Sequence, residues 1–148
     1  MIDSAPTNID HTTHTISFER LLPVPREMVF EAWTEAEQLK LWWDPTGEEL
    51  RACRVDLRVG GGFRFENAGH SPPFEGQYLV IEPPARLVFD ALGAVGTVTL
   101  DAEGSSTRMR VSIRCRSAEH LAQFVQLGVD RNTERTLDNL AAHLRRQA

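Results

Sequence analysis

Cysteine is scarce in this sequence, with two residues, Cys53 and Cys115, in a chain of 148. Small secreted domains that are stapled by disulfides need several cysteine pairs, so the fold cannot depend on such a framework. Both cysteines lie in strand-like runs on the apolar side of the alternation, where a buried free thiol is the expected state. Whether the two cysteines form a disulfide stays an open question, because the sequence does not give the distance between them.

Long apolar runs are missing as well. No stretch approaches the roughly 18 apolar residues that a membrane-spanning helix needs. The start of the chain, MIDSAPTNIDHTTH, has neither the basic beginning nor the apolar core of a signal peptide. These absences predict a cytoplasmic protein without a membrane partner, in which residues 1–13 form a flexible tail and residues 14–148 form a single domain.

Positive charge is in deficit, with 16 Lys and Arg against 21 Asp and Glu, a net charge of −5 and a pI near 5.5. A chain without an overall basic field is a poor match for nucleic acid or for an acidic membrane surface. Signals for metal and covalent chemistry are weak too, because HTTH lacks a third ligand at a suitable spacing and no GxSxG motif occurs. The sequence therefore predicts no metal, no cofactor and no nucleophile.

Glycine is concentrated in LRVGGGFRFEN, where Gly60, Gly61 and Gly62 stand together. A phosphate-binding loop needs a following lysine and helix, or a GxGxxG motif that opens a helix. Here the glycines are followed by a strand-like stretch with Phe63 and Phe65 on one side of its alternation. The run therefore predicts a turn or bulge between two strands rather than a nucleotide site.

Hydrophobic periodicity divides the remaining chain into strands and helices. Segment 12–22 alternates like a strand with one dry face, and two short helical stretches, VPREMVFEAW and QLKLWW, follow it. Thr34 and Glu37 match a capping box for the second helix, while Ser117 and Gly128 mark the start of the helical carboxyl end and a break in it. Short turns between strands favour antiparallel pairing, so an α+β fold is predicted. Its strands are expected at 12–22, 51–59, 63–67, 73–83, 86–92, 95–103 and 106–115.

Four blocks of the sequence resemble one known family in order and spacing. They read FERLLPVPREMVFEAWTEAEQLKLWW, VDLRVGGGFRFE, FEGQYLVIEPPARLVF and STRMRVSI, and the likeness covers roughly residues 15–146. The family is named after the activator of the ninety-kilodalton heat-shock-protein ATPase and belongs to the START-like (SRPBCC) superfamily. The resemblance implies a helix-grip fold, in which a curved antiparallel sheet wraps around the long final helix and leaves a cavity between them. Family members often carry Gly-Trp near the start of that helix, whereas Gly128 is followed here by Val129.

The implied cavity and the aromatic residues together predict a ligand-binding site. Aromatic side chains offer large apolar surfaces, with one polar handle in Trp and Tyr, so they line pockets as well as fill cores. Plain core packing fits each aromatic candidate too, and solvent exposure fits the one acidic candidate. The candidates are Trp33, Trp42, Trp43, Phe63, Phe65, Glu75, Tyr78, Phe89 and Phe124.

Three functions are consistent with this pattern. The first, which the sequence favours, is the binding of a small hydrophobic or aromatic molecule without a catalytic residue. The second is an enzyme of the cyclase, dehydratase or hydrolase type, and the groups able to supply an acid or base there are Tyr78, Glu75, Asp90, Arg64 and His70. The third is a protein-interaction module with a chaperone as partner, by family analogy. A homodimer is compatible with all three.

Overall fold

The computed structural model describes residues 7–69 and 71–147. Within these residues, eight strands form one antiparallel sheet in the order β1-β2-β8-β7-β6-β5-β4-β3. The strands are β1 (Asn8–Asp10), β2 (Thr15–Leu22), β3 (Ala52–Val55), β4 (Gly62–Glu66), β5 (Phe74–Glu82), β6 (Arg86–Ala91), β7 (Ala94–Glu103) and β8 (Ser106–Arg114). The helices are α1 (Arg26–Thr34), α2 (Ala36–Trp42), α3 (Ala118–Gln126) and α4 (Val129–Gln147). None of these four helices combines the length and the apolar character that crossing a membrane requires.

The central strands β2, β7 and β8 show why the sheet has one buried face. Ile16 lies opposite Ile113, and Phe18 lies opposite Val111. Alternation along each strand puts these four side chains on the same face, called the inner face below, while Ser17 takes the other face. The helices cover the inner face, so the alternation predicted from the sequence and the α+β class are both confirmed.

The long helix α4 packs on the inner face beside β2 and also holds the end of α2. At β2, the guanidinium of Arg20 lies 3.6 Å from the carboxylate of Asp138. At α2, the side-chain amide of Asn139 donates to the carbonyl of Asp44 over 2.9 Å, and the hydroxyl of Thr136 donates to the carbonyl of Trp43 over 3.2 Å. These contacts fix the position of α2 relative to the sheet. The apolar stripe of α4 is buried at Leu137, Leu140, Ala141 and Leu144.

The boundary between α1 and α2 differs from the prediction. Thr34 is the last residue of α1 rather than the cap of α2, and its hydroxyl donates to the carbonyl of Phe30 over 2.8 Å. Glu35 occupies the N-cap position of α2 and makes no side-chain capping bond there. The capping box predicted from Thr34 and Glu37 is therefore wrong, because the Thr34 hydroxyl is already satisfied within α1.

The glycine run joins β3 to β4, as predicted, with Gly60 and Gly61 in the loop and Gly62 as the first residue of β4. Gly60 has a φ of +83° in a turn, and its N–H donates to the carbonyl of Tyr78 over 2.8 Å. β4 begins at Gly62, so a strand follows the glycines rather than a helix. The predicted strand before them is too long, because β3 ends at residue 55 and both Leu57 and Val59 are exposed in the loop.

The first described residues also differ from the prediction. Strand β1 pairs with β2 from Asn8 opposite Ser17 to Asp10 opposite Thr15, so the flexible tail predicted for residues 1–13 does not hold for residues 8–10. The carboxylate of Asp10 accepts from the backbone N–H of Thr12 over 2.8 Å. Asp side chains stabilise turns through such local bonds, which explains the tight connection between β1 and β2.

A buried histidine between α2 and α4 makes stability depend on pH. Burial lowers the pKa of His143, and the nearby Arg146 guanidinium lowers it further. The Nε2 atom lies 3.0 Å from Oε1 of Gln38 and 3.1 Å from Nε2 of Gln147. Because folding disfavours the protonated imidazole, its contribution to stability is complete above about pH 6.5, the unfolded pKa, and is lost as the pH falls below that value.

We therefore expect the free energy of unfolding to fall more for the wild type than for His143→Gln when the pH is lowered from about 7.5 to about 5.5. Urea titrations of both proteins at each pH measure the difference. The glutamine variant keeps a polar side chain beside Gln38, but that side chain does not titrate. The carboxylates of the chain are the same in both proteins, so their effect on the free energy of unfolding cancels in the comparison. Parallel losses of stability in the two proteins would show that the imidazole is not held neutral.

Candidate functional site

The candidate site begins with three indoles, one on α1, one at the last residue of α2 and one directly after it. Trp33 donates its Nε1–H to the sulfur of Met109 over 3.4 Å. Trp42 is fully buried and donates its Nε1–H to the carbonyl of Ala32 over 3.0 Å. Trp43 follows directly and packs edge-on against Trp33, with 6.2 Å between ring centroids. The indole of Trp42 thus lies behind those of Trp33 and Trp43.

Strands β4, β5 and β6 supply five further rings on the inner face. Their positions follow from the strand registers, in which Phe65 lies opposite Phe74, and Tyr78 lies opposite Phe89. Phe63 lies at the centre of this group, with centroids 5.2 Å from both Phe65 and Tyr78, 5.7 Å from Phe74 and 5.6 Å from Phe89. Such spacings are typical of attractive aromatic pairs. Trp43 joins the group through Phe65, at 4.9 Å, and the rings form one continuous aromatic cluster.

Two glycines make room for this cluster on the sheet. A Cβ atom added to Gly96 would lie 2.6 Å from Cζ of Phe89, and one added to Gly76 would lie 2.5 Å from Cζ of Phe63. Both distances are shorter than carbon atoms tolerate, so each ring occupies the space that a larger residue would fill. Glycine in a strand interior marks a place of close approach, which here is the approach of a phenyl ring to the backbone.

The rings enclose a small cavity of about 10 Å³. That volume is at the lower limit for holding a single water molecule, so the cavity in this conformation has no room for a ligand. Three of its lining residues, Trp43, Phe74 and Phe89, are only half-buried, so the wall of the cavity reaches solvent there, and these three residues are called its mouth below. It is lined by Trp33, Leu39, Trp43, Phe63, Phe65, Phe74, Tyr78, Leu87 and Phe89.

The cavity is electrically neutral. None of its lining residues carries a charge at neutral pH, and its one hydroxyl belongs to Tyr78, the single tyrosine of the chain. Burial raises the pKa of Tyr78, and the neighbouring Cys53 raises it further, so the phenol stays protonated. Burial likewise raises the pKa of Cys53 to about 11, which keeps this free thiol uncharged and unreactive.

Six of the nine predicted site residues line the cavity, namely Trp33, Trp43, Phe63, Phe65, Tyr78 and Phe89. The other three do not. Trp42 packs behind its neighbours against α1, with 5.0 Å to the centroid of Trp33. Glu75 points from the outer face of β5, where its side chain is 57% exposed and pairs with Arg64. Phe124 lies on α3 and contacts the ring of His120 at 4.6 Å.

Sequence reasoning missed three lining residues, Leu39, Phe74 and Leu87. For each of them the sequence carried a signal. Phe74 and Tyr78 are four positions apart, and Leu87 and Phe89 are two positions apart, so alternation predicts a common face for each pair. Leu39 precedes Trp43, which lines the cavity, by four residues, and that spacing gives a shared helical face.

The groups considered for acid or base chemistry do not converge. Only Tyr78 lines the cavity. Arg64 and Glu75 pair with each other on the outer face, and Asp90 is on that face as well, opposite Gln77. The remaining candidate, His70, lies outside the described residues. Among the residues that the structure describes, no pair drawn from these candidates meets inside the cavity, so acid–base catalysis gains no support from the site.

Comparisons with known proteins agree with this architecture. A family model described as "Activator of Hsp90 ATPase homolog 1-like protein" matches residues 23–145. No curated protein matches the chain. A solved structure of an AHSA1-like protein from Aeromonas hydrophila is 25% identical, with a TM-score of 0.75 over 90% of this chain and 93% of that one.

Two further solved structures share the fold at lower identity. A protein from Mycobacterium smegmatis is 17% identical, with a TM-score of 0.85 over 98% of this chain and 99% of that one. A protein from Nitrosomonas europaea is 24% identical, with a TM-score of 0.81 over 90% of this chain and 95% of that one. These likenesses show the fold and agree with the predicted helix-grip architecture.

Proposed function

The chain belongs to the family of activator of Hsp90 ATPase homolog 1-like proteins, as its sequence blocks predicted, and we propose that it binds a small uncharged hydrophobic molecule in its aromatic cavity. The observation that carries this proposal is the mouth of the cavity, where Trp43, Phe74 and Phe89 are half-buried. Rings that only fill a core are normally covered, whereas rings that meet a ligand remain accessible from solvent.

The ligand has to displace rings in order to enter. The closed cavity measures about 10 Å³, whereas pockets for drug-sized molecules measure roughly 300–1,000 Å³. Phe74 and Phe89 carry no polar side-chain atoms, so turning them outward breaks no side-chain hydrogen bond. Opening therefore costs mainly the exposure of apolar surface, which an apolar ligand restores when it binds. This limits the ligand to a compact molecule.

Charge selects the ligand further. A charged molecule inside the cavity would lose its hydration and gain no opposite charge, because the lining residues are all neutral. An uncharged molecule has no such penalty. We therefore expect neutral hydrophobic compounds to bind and the carboxylates or ammonium ions of the same size to be rejected.

Titration followed by NMR tests this function, because the three indole N–H signals report on different places. Trp33 and Trp43 line the cavity, whereas Trp42 lies behind it and serves as an internal control. We expect neutral aromatic probes to shift the signals of Trp33 and Trp43 more than that of Trp42, with a Kd on the order of 100 μM for a probe of about eight heavy atoms.

The same titration defines the failure of the proposal. Benzyl alcohol and indole serve as neutral probes, and benzoate and benzylammonium serve as charged controls. Unchanged spectra with every neutral probe at millimolar concentration would overturn the proposal, as would shifts that are equal for neutral and charged probes. Native mass spectrometry of the freshly purified protein gives an independent readout, in which a co-purified neutral molecule would support the proposal.

A further inference from the structure

The ring of Phe89 rests directly on a bare stretch of β7 backbone. Phe89 lies opposite Gly96 in the register of β6 and β7. Three ring carbons of Phe89 are within 3.3 Å of the position where a Cβ of Gly96 would be, and the nearest is at 2.6 Å. The space between this ring and the strand is therefore flat, since no side chain rises from the strand beneath it.

The surroundings of Phe89 allow its ring to turn away from Gly96 and toward solvent. It is half-buried, and its plane stands at 90° to that of Phe63, whose centroid is 5.6 Å away. The contact between the two rings is thus edge-to-face rather than an interlocking stack. Phe63, in contrast, is buried among the other rings of the cluster, with relative exposure of 5%. Of the two rings that cover glycines, Phe89 is the one that reaches the mouth of the cavity.

When Phe89 turns outward, it leaves a slot with the thickness of one aromatic ring. Its floor is the backbone of Gly96, and its sides include the edge of Phe63. A planar ring fills such a slot in the way that Phe89 fills it now. A saturated ring of the same atom count is thicker, because its carbons are puckered and carry axial hydrogens, and it would overlap the floor.

We infer that the ligand of this cavity is an uncharged planar aromatic molecule, one ring wide, which takes the place of the Phe89 ring over Gly96. This inference rests on the proposed function and adds the shape of the ligand and the residue that gives way to it. Phe89 then acts as a gate, because its ring moves aside when the ligand binds. Gly96 is required because any side chain at that position would occupy the slot.

A matched pair of alcohols tests the shape requirement on the wild-type protein. Benzyl alcohol and cyclohexylmethanol have the same number of heavy atoms and the same hydroxyl group, but only the first has a flat ring. We expect benzyl alcohol to bind at least tenfold more tightly. Burial of apolar surface alone favours the opposite order, because the saturated ring carries more hydrocarbon surface.

Fluorine NMR tests whether the ring of Phe89 moves when a ligand binds. With 4-fluorophenylalanine in place of phenylalanine, the Phe89 signal is assigned by its loss in Phe89→Leu. We expect saturation with benzyl alcohol to move this signal to the shift of a solvent-exposed ring, while the signal of buried Phe63 stays within the range of a buried ring. If the alcohols bind with equal affinity, or if the Phe89 signal does not move on binding, the inference is wrong although the proposed function stands. If neither the alcohols nor indole bind, the proposed function itself fails.

Two substitutions distinguish displacement of the Phe89 ring from binding in a space made by removing any ring of the cluster. Phe89→Ala removes the ring that has to be displaced, so we expect benzyl alcohol to bind about tenfold more tightly than it binds the wild type. Phe65→Ala removes a ring of the same size elsewhere in the cluster and serves as the matched control. An equal gain in both variants would show that any deleted ring creates a binding site, and would overturn the role of Phe89. Should either variant fail to fold, the measurements on the wild-type protein decide.

Discussion

Gly76→Ala is expected to destabilise the protein by about 3 kcal/mol or more, because the added methyl group has no free space. Its Cβ would lie 2.5 Å from Cζ of Phe63 and would overlap the carbonyl oxygen of Asp90. Phe63 is surrounded by other rings, and Asp90 belongs to β6, which is paired on both sides. Relief therefore requires β5 and β6 to move apart. Urea unfolding of the variant and the wild type measures the loss of free energy.

Gly62→Ala is the matched control for this substitution. Its Cβ would lie 3.5 Å from the carbonyl oxygen of Gly76, which is an ordinary van der Waals distance. Both substitutions restrict the unfolded chain to the same extent, so the difference between them isolates the clash. We expect the control to change stability by no more than about 1 kcal/mol. A Gly76→Ala protein as stable as the control would mean that the aromatic cluster is packed loosely enough to accept a methyl group beside Phe63.

Much of the sheet follows from alternation, because strands such as β2 and β7 bury every second residue. Arg20 illustrates this, because its position in the alternation predicted the same face as Ile16 and Phe18, and it lies there with a relative exposure of 7%. Alternation does not show where pairing stops. Leu57 and Val59 continue the pattern of β3, yet they are exposed, because whether a residue belongs to a strand depends on a partner that the local sequence does not contain.

The site was less predictable than the sheet. Trp42 and Trp43 are adjacent, and successive residues on a helix point about 100° apart, so only one could line the cavity. Which one does so depends on how α2 is held, and the bonds from Asn139 and Thr136 to the end of α2 are long-range contacts. The family resemblance implied a cavity, but its volume depends on ring orientations and on the close approach of Phe89 to Gly96, which no pattern of residue types encodes.

Trp42→Ala is expected to destabilise the protein by about 4 kcal/mol or more, which is the other large effect. Its indole is fully buried, and its centroid is 5.0 Å from that of Trp33 and 5.6 Å from that of Trp43. Its N–H also satisfies the carbonyl of Ala32 in the last turn of α1, where carbonyls lack a partner within the helix. Truncation leaves both a cavity and an unpaired buried carbonyl, and thermal or urea unfolding measures their combined cost.

Trp42→Phe distinguishes a supporting role from contact with the ligand. The phenyl ring still packs against Trp33, but it cannot donate to Ala32, so we expect a loss of about 1–3 kcal/mol. Because Trp42 lies behind the lining residues, we expect the affinity for benzyl alcohol to change by less than about twofold in this folded variant, which is under 0.5 kcal/mol. A tenfold loss of affinity with the fold intact would place Trp42 in the binding site. The mouth formed by Trp43, Phe74 and Phe89 would then no longer describe the ligand's full surroundings.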